Sequence, residues 1–344
     1  MVAAVRLIPL LTYVWFLLNF VNAILASPIA PSFGSTESHH TLHARDRSGV
    51  IINDADGGVV VFNSQTQQPI PQGSASDGGG SGFNTPAVLW IVLLFLLGVP
   101  LAVAGIRGWR LTLGVAIGLS IAVCSWAAFI NTVSSQGFPD IALDGIVFGF
   151  FVLGFVLGLF EFARVTGIAC LGALGGLAVG MRIVLFKNGL IVHVFFVNWL
   201  IVSACAVVSL LLLLRAQRIG IILSTSSTGT FFIGLGVDLA VNQQKGMSRG
   251  LRFLFDQNTS HIADMLSNSY TPPLSTKITL GASLALIPLL AFIQHKIFRD
   301  PFERNPPDDE EIDFDPSSFR NTLEAIGRKS RYLSKKALES RFSI

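Results

Sequence analysis

The sequence predicts an all-α polytopic membrane protein with a bundle of seven transmembrane helices. Of its 344 residues, 51% are hydrophobic and only 13% are charged, and the mean hydropathy is +0.62. This composition lies far outside that of soluble domains. The chain contains seven apolar stretches, each close to the roughly 20 residues that a helix needs to cross a bilayer. A lone strand would leave its backbone unpaired in lipid, so each stretch is predicted to be helical.

The seven predicted helices together form a membrane domain over residues 86–297. The connections between them are short, except for the polar stretch before the last span. The predicted spans cover residues 86–106, 111–130, 141–160, 165–186, 190–214, 219–241 and 278–297.

The N-terminal residues have the features of a secretory signal peptide. A basic residue precedes the apolar run Leu7–Phe20, and Ala23 and Ala26 are small residues at two candidate cleavage points. An uncleaved anchor helix ending at Ala26 is the alternative, because that stretch would also reach about 20 residues. We predict a signal peptide over residues 1–26, and cleavage after Ala23, after Ala26 or at neither position stays open.

Residues 27–85 are predicted to form a flexible lumenal or extracellular stalk. This segment is polar and ends in the Gly/Ser tract Gly73–Gly82, which has too few apolar residues to bury a core. Two apolar runs, Val50–Ile52 and Val59–Phe62, flank turn-forming residues and predict a β-hairpin, although an isolated hairpin is marginal in water. The histidines of this segment lack a cysteine or carboxylate at ligand spacing, so no metal or cofactor is predicted.

Basic residues are concentrated in alternate loops, and this pattern predicts the orientation of the chain. The loops 107–110, 161–164 and 215–218 contain five arginines in twelve residues, which is a positive-inside signature. The loop 242–277 contains the sequon at Asn258, a candidate glycosylation site on the outer side. We therefore predict an integral membrane glycoprotein of the secretory route, in the plasma membrane or an endomembrane. Its N-terminus is outside or lumenal, and its C-terminus is cytoplasmic.

Ionisable and amide side chains inside the spans cluster at similar depth near their outer ends. Such residues are expensive in lipid and mark candidate functional sites. We consider a polar outer vestibule in which Arg182 pairs with Asp238 or Asp144. The alternative is that each side chain reaches the near interface on its own. The vestibule candidates are Asp144, Arg182, His193, Asn198 and Asp238, with Asn131 beside them.

Glycines recur at four-residue spacing on one face of several helices. Small residues at this spacing let helix backbones approach closely. The pattern predicts close contact within the bundle, with the span 165–186 at its centre, and a homo-oligomer is the alternative use of such faces. The glycines are Gly114 and Gly118, Gly145 and Gly149, Gly154 and Gly158, and Gly172, Gly176 and Gly180.

Other functional classes lack the residues that they require. No pair of facing mid-span carboxylates occurs, and the G-x-S-x-G spacing at Gly246–Gly250 lies in the polar loop 242–277 and does not follow a predicted strand, so we predict that the protein is not an enzyme. A channel or transporter should show broken helices or a mid-bilayer acid, and the sequence shows neither. The polar run Ser224–Thr230 could coordinate a solute but also suits helix packing. The small net charge of +3 gives no support for nucleic-acid binding.

Residues 298–344 are predicted to form a cytoplasmic tail with two parts. An acidic block at 308–315 precedes a stretch in which apolar residues recur at helical spacing beside basic residues. Such a basic amphipathic helix would bind anionic lipid or a cytoplasmic protein, and a solvated or disordered tail is the alternative. Ser330 and Ser334 are candidate phosphorylation sites, because they lie among basic residues that suit a basophilic kinase, and phosphate there would weaken lipid contact.

Four motifs resemble one membrane family. They are Ala104–Thr112 (AGIRGWRLT), Gly158–Arg164 (GLFEFAR), Gly246–Asp256 (GMSRGLRFLFD) and Gln294–Arg299 (QHKIFR). In these motifs the chain resembles the fungal branch of the family that shares the domain of transmembrane protein 198 and seven-transmembrane superfamily member 3. The resemblance covers roughly residues 83–305. It implies a seven-helix domain without known catalytic residues, and its animal relatives are linked to stress responses and to membrane signalling, such as scaffolding of a Wnt co-receptor.

We therefore expect a non-enzymatic membrane scaffold or signalling component. Its partners would be the lipid bilayer and, through the tail, anionic lipid or a cytoplasmic protein. The alternative is a small-solute channel or transporter that uses the polar outer vestibule.

Overall fold

The computed structural model describes residues 50–55, 58–63, 66–73, 77–133, 135–192 and 194–298. Some of the predictions concern other parts of the chain. The signal peptide, the candidate His193, and the tail from residue 299 with Ser330 and Ser334 lie outside the described residues.

Seven of the described helices are long and apolar enough to cross a membrane, which confirms the predicted all-α seven-helix fold. Two shorter helices lie between the sixth and the last of them, and a two-stranded sheet precedes the first. The long helices are α1 (Thr85–Ala104), α2 (Trp109–Thr132), α3 (Asp140–Gly158), α4 (Arg164–Leu185), α5 (Phe195–Arg215), α6 (Gln217–Asn242) and α9 (Leu274–Ile297). The shorter elements are β1 (Val50–Ala55), β2 (Gly58–Asn63), α7 (Met247–Phe255), α8 (Ile262–Ser267) and single 3₁₀ turns at Glu161–Ala163, Gln243–Lys245 and Thr259–His261.

Helices α4 and α6 form the centre of the bundle. About 83% of the apolar stretch of α4 and 72% of that of α6 are buried, against 28% for α1, α3, α5 and α9. This confirms the predicted central position of the span 165–186. Small residues let α6 approach three neighbours closely, which matters because lipid supplies no hydrophobic drive between helices. The close pairs are Gly229 with Ala102 of α1, Ser224 with Gly175 of α4, and Gly234 with Ser283 of α9.

Glycines also bring α2 and α3 together. A Cβ atom added at Gly154 would lie 2.8 Å from the Cα of Gly118, and one added at Gly158 would lie 2.7 Å from the Cα of Gly114. The predicted use of these glycines for close helix contact is therefore confirmed. Of the other spaced glycines, Gly172, Gly176 and Gly180 of α4 face α5, whereas Gly145 and Gly149 of α3 have no atom within 4 Å of an added Cβ in the described part of the chain.

Five of the seven long helices begin within two residues of the predicted position, and α5 and α9 begin four or five residues away from it. Helix α5 begins at Phe195 instead of 190, because the φ angle of Leu190 is +73°. The Asn198 side chain then bonds both backbone groups of Val192, accepting from its N–H at 3.2 Å and donating to its carbonyl at 2.6 Å. Helix α9 begins at Leu274 instead of 278, directly after Pro273, which has no N–H and suits a helix start.

Strands β1 and β2 form the predicted β-hairpin. They are antiparallel, and Val50 pairs with Asn63 and Ala55 with Gly58. The chain after β2 runs back along it, and the N–H of Ile70 donates to the carbonyl of Val61 at 2.7 Å. The hairpin therefore has backbone partners that an isolated hairpin lacks.

The described second half of the predicted stalk contacts the helical domain, so this half is not a free stalk. Gln72 donates to the carbonyl of Thr259 at 3.1 Å and accepts from the N–H of Ala263 at 3.0 Å. The N–H of Gly73 donates to the carbonyl of Ser260 at 3.1 Å. The scarcity of apolar side chains predicts a flexible segment, because it leaves little surface to bury. Polar and backbone groups make the attachment instead.

The polar stretch between α6 and α9 folds over one end of the bundle. Met247, Leu254 and Phe255 of α7 are buried, and the buried Tyr270 donates its hydroxyl to the carbonyl of Leu185 at 2.8 Å. We call residues 243–273, with the described parts of 58–84, the platform, and this end of the bundle the platform end. The opposite end, with the turns at 105–108, 159–163 and 216, is the short-loop end.

Candidate functional site

Arg182 is the most unusual residue of the bundle because it is a cation with only 2% of its surface exposed. A guanidinium has five N–H groups. The Nε group donates to Ser283 Oγ at 3.0 Å. Nη1 donates to the carbonyl of Ala178 at 3.0 Å and to Ser227 Oγ at 3.5 Å. Nη2 donates to the carbonyl of Ser227 at 2.9 Å and to Thr230 Oγ1 at 2.8 Å. Three helices, α4, α6 and α9, therefore hold one guanidinium.

The Arg182 side chain reaches toward the middle of the bundle. Side chains of an α-helix lean toward its N-terminus, so this residue near the end of α4 extends back along its own helix to Ala178. Its partners Ser227 and Ser283 lie near the midpoints of α6 and α9. The Cζ atom also lies 5.1 Å from the centre of the Phe231 ring, at a distance typical of a cation–π contact.

The hydroxyl groups around Arg182 already use their own hydrogens. Ser227 donates to the carbonyl of Gly175 at 2.7 Å, and Thr230 donates to the carbonyl of Ser226 at 2.7 Å. Ser283 donates to the carbonyl of Leu280 in its own helix at 3.0 Å. The polar run of α6 thus serves helix contact and holds Arg182, and these three hydroxyls have no hydrogen left for a solute.

The predicted ion pair of Arg182 with Asp238 or Asp144 is wrong. Within the described residues no carboxylate forms an ion pair with Arg182, and its five donors meet hydroxyls and carbonyls. The alternative that this side chain reaches the interface on its own is also wrong, since it is buried and bonded to α6 and α9. The hydroxyl and carbonyl groups of three helices stabilise the guanidinium charge in place of a carboxylate.

Asp238 joins α6 to the start of α9 and to the platform. Its Oδ1 accepts from Thr276 Oγ1 at 2.5 Å and from Asn242 Nδ2 at 2.8 Å. Its Oδ2 accepts from the backbone N–H of Met247 at the start of α7. An added Cβ at Gly246 would overlap this carboxylate, so the site requires glycine there. Asp238 therefore has a local structural role.

Asp144 belongs to a separate site at the platform end, beside the Gly-rich tract. Its Oδ1 accepts from the indole N–H of Trp90 at 2.9 Å, and the same N–H also points to the carbonyl of Gly78 at 3.1 Å. The indole of Trp126 donates to the carbonyl of Asp77 at 2.8 Å. Two tryptophans from α1 and α2 thus fix the Gly-rich tract on the bundle.

The vestibule candidates do not come together. Asn198 bonds the chain just before its own helix, at Val192 and Val194. Asn131 accepts from the N–H of Gln257 at 2.7 Å and donates to the carbonyl of Phe255 at 3.1 Å. No candidate among the described residues bonds to another, so the predicted shared vestibule is wrong for Asp144, Arg182, Asn198 and Asp238. His193 lies outside the described residues.

The platform contains a network of ion pairs that sequence reasoning missed. Asp264 lies 3.2 Å from Arg249 Nη1 and 3.1 Å from Arg252 Nη2. Asp256 Oδ2 lies 3.7 Å from Arg252 Nε and 2.8 Å from Nδ1 of the buried His261. The signal was present in α7, where apolar and basic residues alternate at helical spacing in GMSRGLRFLFD. The network ties α7 to α8 and to the turn before α8.

Two platform carboxyls have shifted pKa values of opposite sign. Partial burial acts to raise the pKa of Asp264, but the hydrogen bond from Asn268 and the charges of Arg249 and Arg252 outweigh it and hold the pKa below its usual value. Burial raises the pKa of Asp77, although the charge of Arg252 and a backbone hydrogen bond act against it. The platform therefore stabilises the ionised form of one carboxyl and disfavours that of the other.

The glycosylation candidate Asn258 takes part in the fold. Its Nδ2 donates to the carbonyl of Val133 at 2.7 Å and to that of Ile130 at 3.4 Å. Its Oδ1 accepts from the N–H of Ser260 at 3.0 Å. The atom that a glycan would occupy thus anchors the platform to the end of α2, and glycosylation of Asn258 stays a prediction.

The polar sites above supply hydrogen bonds and fixed charges. In the described part of the chain no group of three or more His, Cys, Asp or Glu side chains is arranged to hold a metal ion. The three cysteines are separate thiols: Cys170 is buried, Cys205 is half-buried, and Cys124 is exposed on α2.

Comparison with known proteins places the chain in a family. No curated protein and no solved structure matches it. The family model described as the TM7S3/TM198-like domain matches residues 91–295, which is more than half of the 344 residues and includes all or part of each of the seven long helices. The chain is thus a multi-pass membrane protein and belongs to the TM7S3/TM198-like family.

Proposed function

We propose that this protein is a non-enzymatic membrane scaffold or signalling component, whose bundle holds the platform at one side of the membrane. The observation that carries the proposal is the internal use of the polar groups in the bundle. All five donors of Arg182 have protein partners, and both oxygens of Asp238 accept hydrogen bonds. Such groups link neighbouring helices by hydrogen bonds and hold them in place.

A solute pathway has less support. Transport sites are reached from solution and exchange protein partners for solute. Arg182 is 2% exposed, and the hydroxyls around it, those of Ser227, Thr230 and Ser283, donate their hydrogens to carbonyl groups. A core whose polar groups are bonded to one another favours a protein that acts through its surfaces.

Charge distribution supports an orientation with the platform lumenal or extracellular and the C-terminus cytoplasmic. Basic residues exceed acidic ones six to one at the short-loop end of the described chain, a positive-inside pattern. At the platform end the helix ends and the platform carry both signs. The short-loop residues are Arg107, Arg110, Arg164, Arg215, Arg218 and Lys296, with Glu161 as the acid. Protection of a C-terminal tag from protease in sealed microsomes would contradict this orientation.

A flux assay tests the scaffold against the transporter. The purified full chain is reconstituted in liposomes, and entry of chloride, potassium and glycine is compared with that in protein-free liposomes. We expect no added flux. Added flux that is lost in Arg182→Met would establish the transporter alternative and refute the scaffold.

Proximity labelling tests the scaffold directly. A labelling enzyme fused to the platform side is compared in the intact chain and in a variant whose hairpin 50–63 is replaced by a Gly/Ser segment of equal length. The control is an unrelated seven-helix protein in the same membrane. We expect a reproducible set of neighbours that the hairpin variant reduces. A set indistinguishable from that of the control would contradict the proposal.

A further inference from the structure

Aromatic and basic side chains meet at one corner of the short-loop end. Phe160 and Phe162, in the turn between α3 and α4, are 54% and 76% exposed. Their rings are stacked with centroids 5.8 Å apart. Trp109 and Arg110 begin the neighbouring helix α2, and Arg107 precedes them in the connecting turn. We call these five residues the aromatic–basic corner.

The two phenylalanines continue the lipid-facing surface of the bundle. Leu157 of α3 and Val165 of α4, on either side of the turn, are 40% and 45% exposed. An exposed aromatic pair in water would be unfavourable, because apolar area is left unburied. Aromatic side chains are enriched at the boundary between hydrocarbon and headgroups. The exposed aromatic rings at the ends of two predicted spans therefore suit the depth where acyl chains join their headgroups.

Within the described parts of the chain, the basic residues of the corner have N–H groups left for a ligand. Arg110 Cζ lies 5.1 Å from the centre of the Trp109 ring, and Nη2 lies 3.2 Å from Glu161 Oε1. Both charged side chains of this pair are more than half exposed, so the pair itself adds little stability. Only one N–H group of Arg110 is used there, out of five. Arg107 is also exposed, so the two turns carry Arg107 and Arg110 against the one carboxylate of Glu161.

We propose that the aromatic–basic corner binds an anionic glycerophospholipid. The guanidinium groups of Arg107 and Arg110 take the phosphate and, in phosphatidylserine, the carboxylate of the headgroup, since planar N–H pairs match the oxygens of both groups. An acyl chain lies along Phe160 and Phe162. Continuity with the lipid-facing surface selects a lipid over a soluble phosphate compound, and the excess positive charge selects an anionic headgroup.

The test measures thermal unfolding of the full chain in nanodiscs. Discs of phosphatidylcholine are compared with discs that also contain phosphatidylserine. We expect a higher Tm with phosphatidylserine, by about 4 °C or more. The double variant Arg107→Gln/Arg110→Gln should lose at least half of this shift. The matched control Lys187→Gln/Lys245→Gln removes two exposed cations at the platform end and should keep the shift.

Three further measurements test whether the Tm shift depends on the charges, on contact with the acyl chain or on the headgroup alone. Arg107→Lys/Arg110→Lys retains the charges and should retain part of the shift, and Phe160→Ala/Phe162→Ala should reduce it. Glycerophosphoserine, the headgroup without acyl chains, should give no shift. The proposal is overturned if the double glutamine variant keeps the full shift, if the platform-end control loses as much, or if the soluble headgroup alone reproduces it.

Discussion

Replacing Arg182 by methionine should change stability less than replacing it by lysine. Methionine fills a similar volume and removes both the charge and the donors. The hydroxyls of Ser227, Thr230 and Ser283 keep their own bonds to carbonyl groups, so the change leaves no buried donor without a partner. Lysine keeps the charge, and an ammonium has only three N–H groups against five in the guanidinium.

The magnitudes follow from the five bonds. Hydrogen bonds to charged groups contribute about 1.5 kcal/mol each at the low end, so the five at Arg182 sum to about 7.5 kcal/mol. Burial of an unpaired ion costs several kcal/mol, which is of the same order. We therefore expect Arg182→Met within about 2 kcal/mol of the wild type. Arg182→Lys loses at least two bonds while the charge stays buried, so it should be about 3 kcal/mol less stable.

The assay is thermal unfolding in phosphatidylcholine nanodiscs at pH 7, followed by tryptophan fluorescence. For a domain of this size 1 kcal/mol corresponds to about 2–4 °C, so the lysine variant should unfold about 6–12 °C below the wild type. The reasoning is refuted if methionine lowers Tm as much as lysine does. In that case the bonds of the guanidinium would outweigh the burial of its charge.

Three other tests concern separate parts of the structure. Asp77→Asn should raise Tm at pH 7, because burial penalises ionisation of the Asp77 carboxyl. With its raised pKa, this carboxyl contributes stability below the usual carboxyl pKa of about 3.9, and that contribution is lost as the pH rises. The gain should shrink on titration toward pH 4, and a constant gain would contradict the cause. Ser260→Ala should remove any glycan shift on a gel without lowering Tm. Asn258→Gln should remove the shift and also lower the free energy of unfolding by about 1–2 kcal/mol, because three hydrogen bonds of the Asn258 side chain are lost. A glycan shift that survives Ser260→Ala would show that the glycan is attached elsewhere. Gly158→Leu should lower the free energy of unfolding by at least about 1–3 kcal/mol, because the new side chain meets the backbone of α2. Its control Gly149→Leu, at a position that faces open space in the described part of the chain, should lower it less. Equal losses would show that close helix contact is not the cause.

The membrane domain could be predicted well because its signals are local. A helix needs about 20 apolar residues to cross a bilayer, so length and composition suffice to find each span. The glycine spacing of α2 and α3 likewise predicted close contact, since residues four apart share a helix face. The hairpin at 50–63 followed from two apolar runs around a turn, which is also local information.

The polar residues could not be placed in this way. Asp238, Arg182 and Asp144 lie at similar depth in the sequence pattern, and depth alone suggested that they share a site. Helix rotation decides which neighbour a side chain meets, and it depends on contacts between residues far apart in the chain. Arg182 therefore bonds Ser227 and Ser283, which lie 45 and 101 residues away.

The platform shows the same division. Its helix α7 carries a helical pattern in the sequence, but a nine-residue helix is marginal without tertiary contacts. Composition indicated that the Gly-rich tract would stay free, whereas Trp90 and Trp126 bind its carbonyls. The sequence alone determined the number of spans, the hairpin and the glycine faces, because each depends on neighbours along the chain. Only the tertiary structure decided the partners of the polar groups, because hydrogen bonds and charges act between atoms that folding brings within about 3 Å.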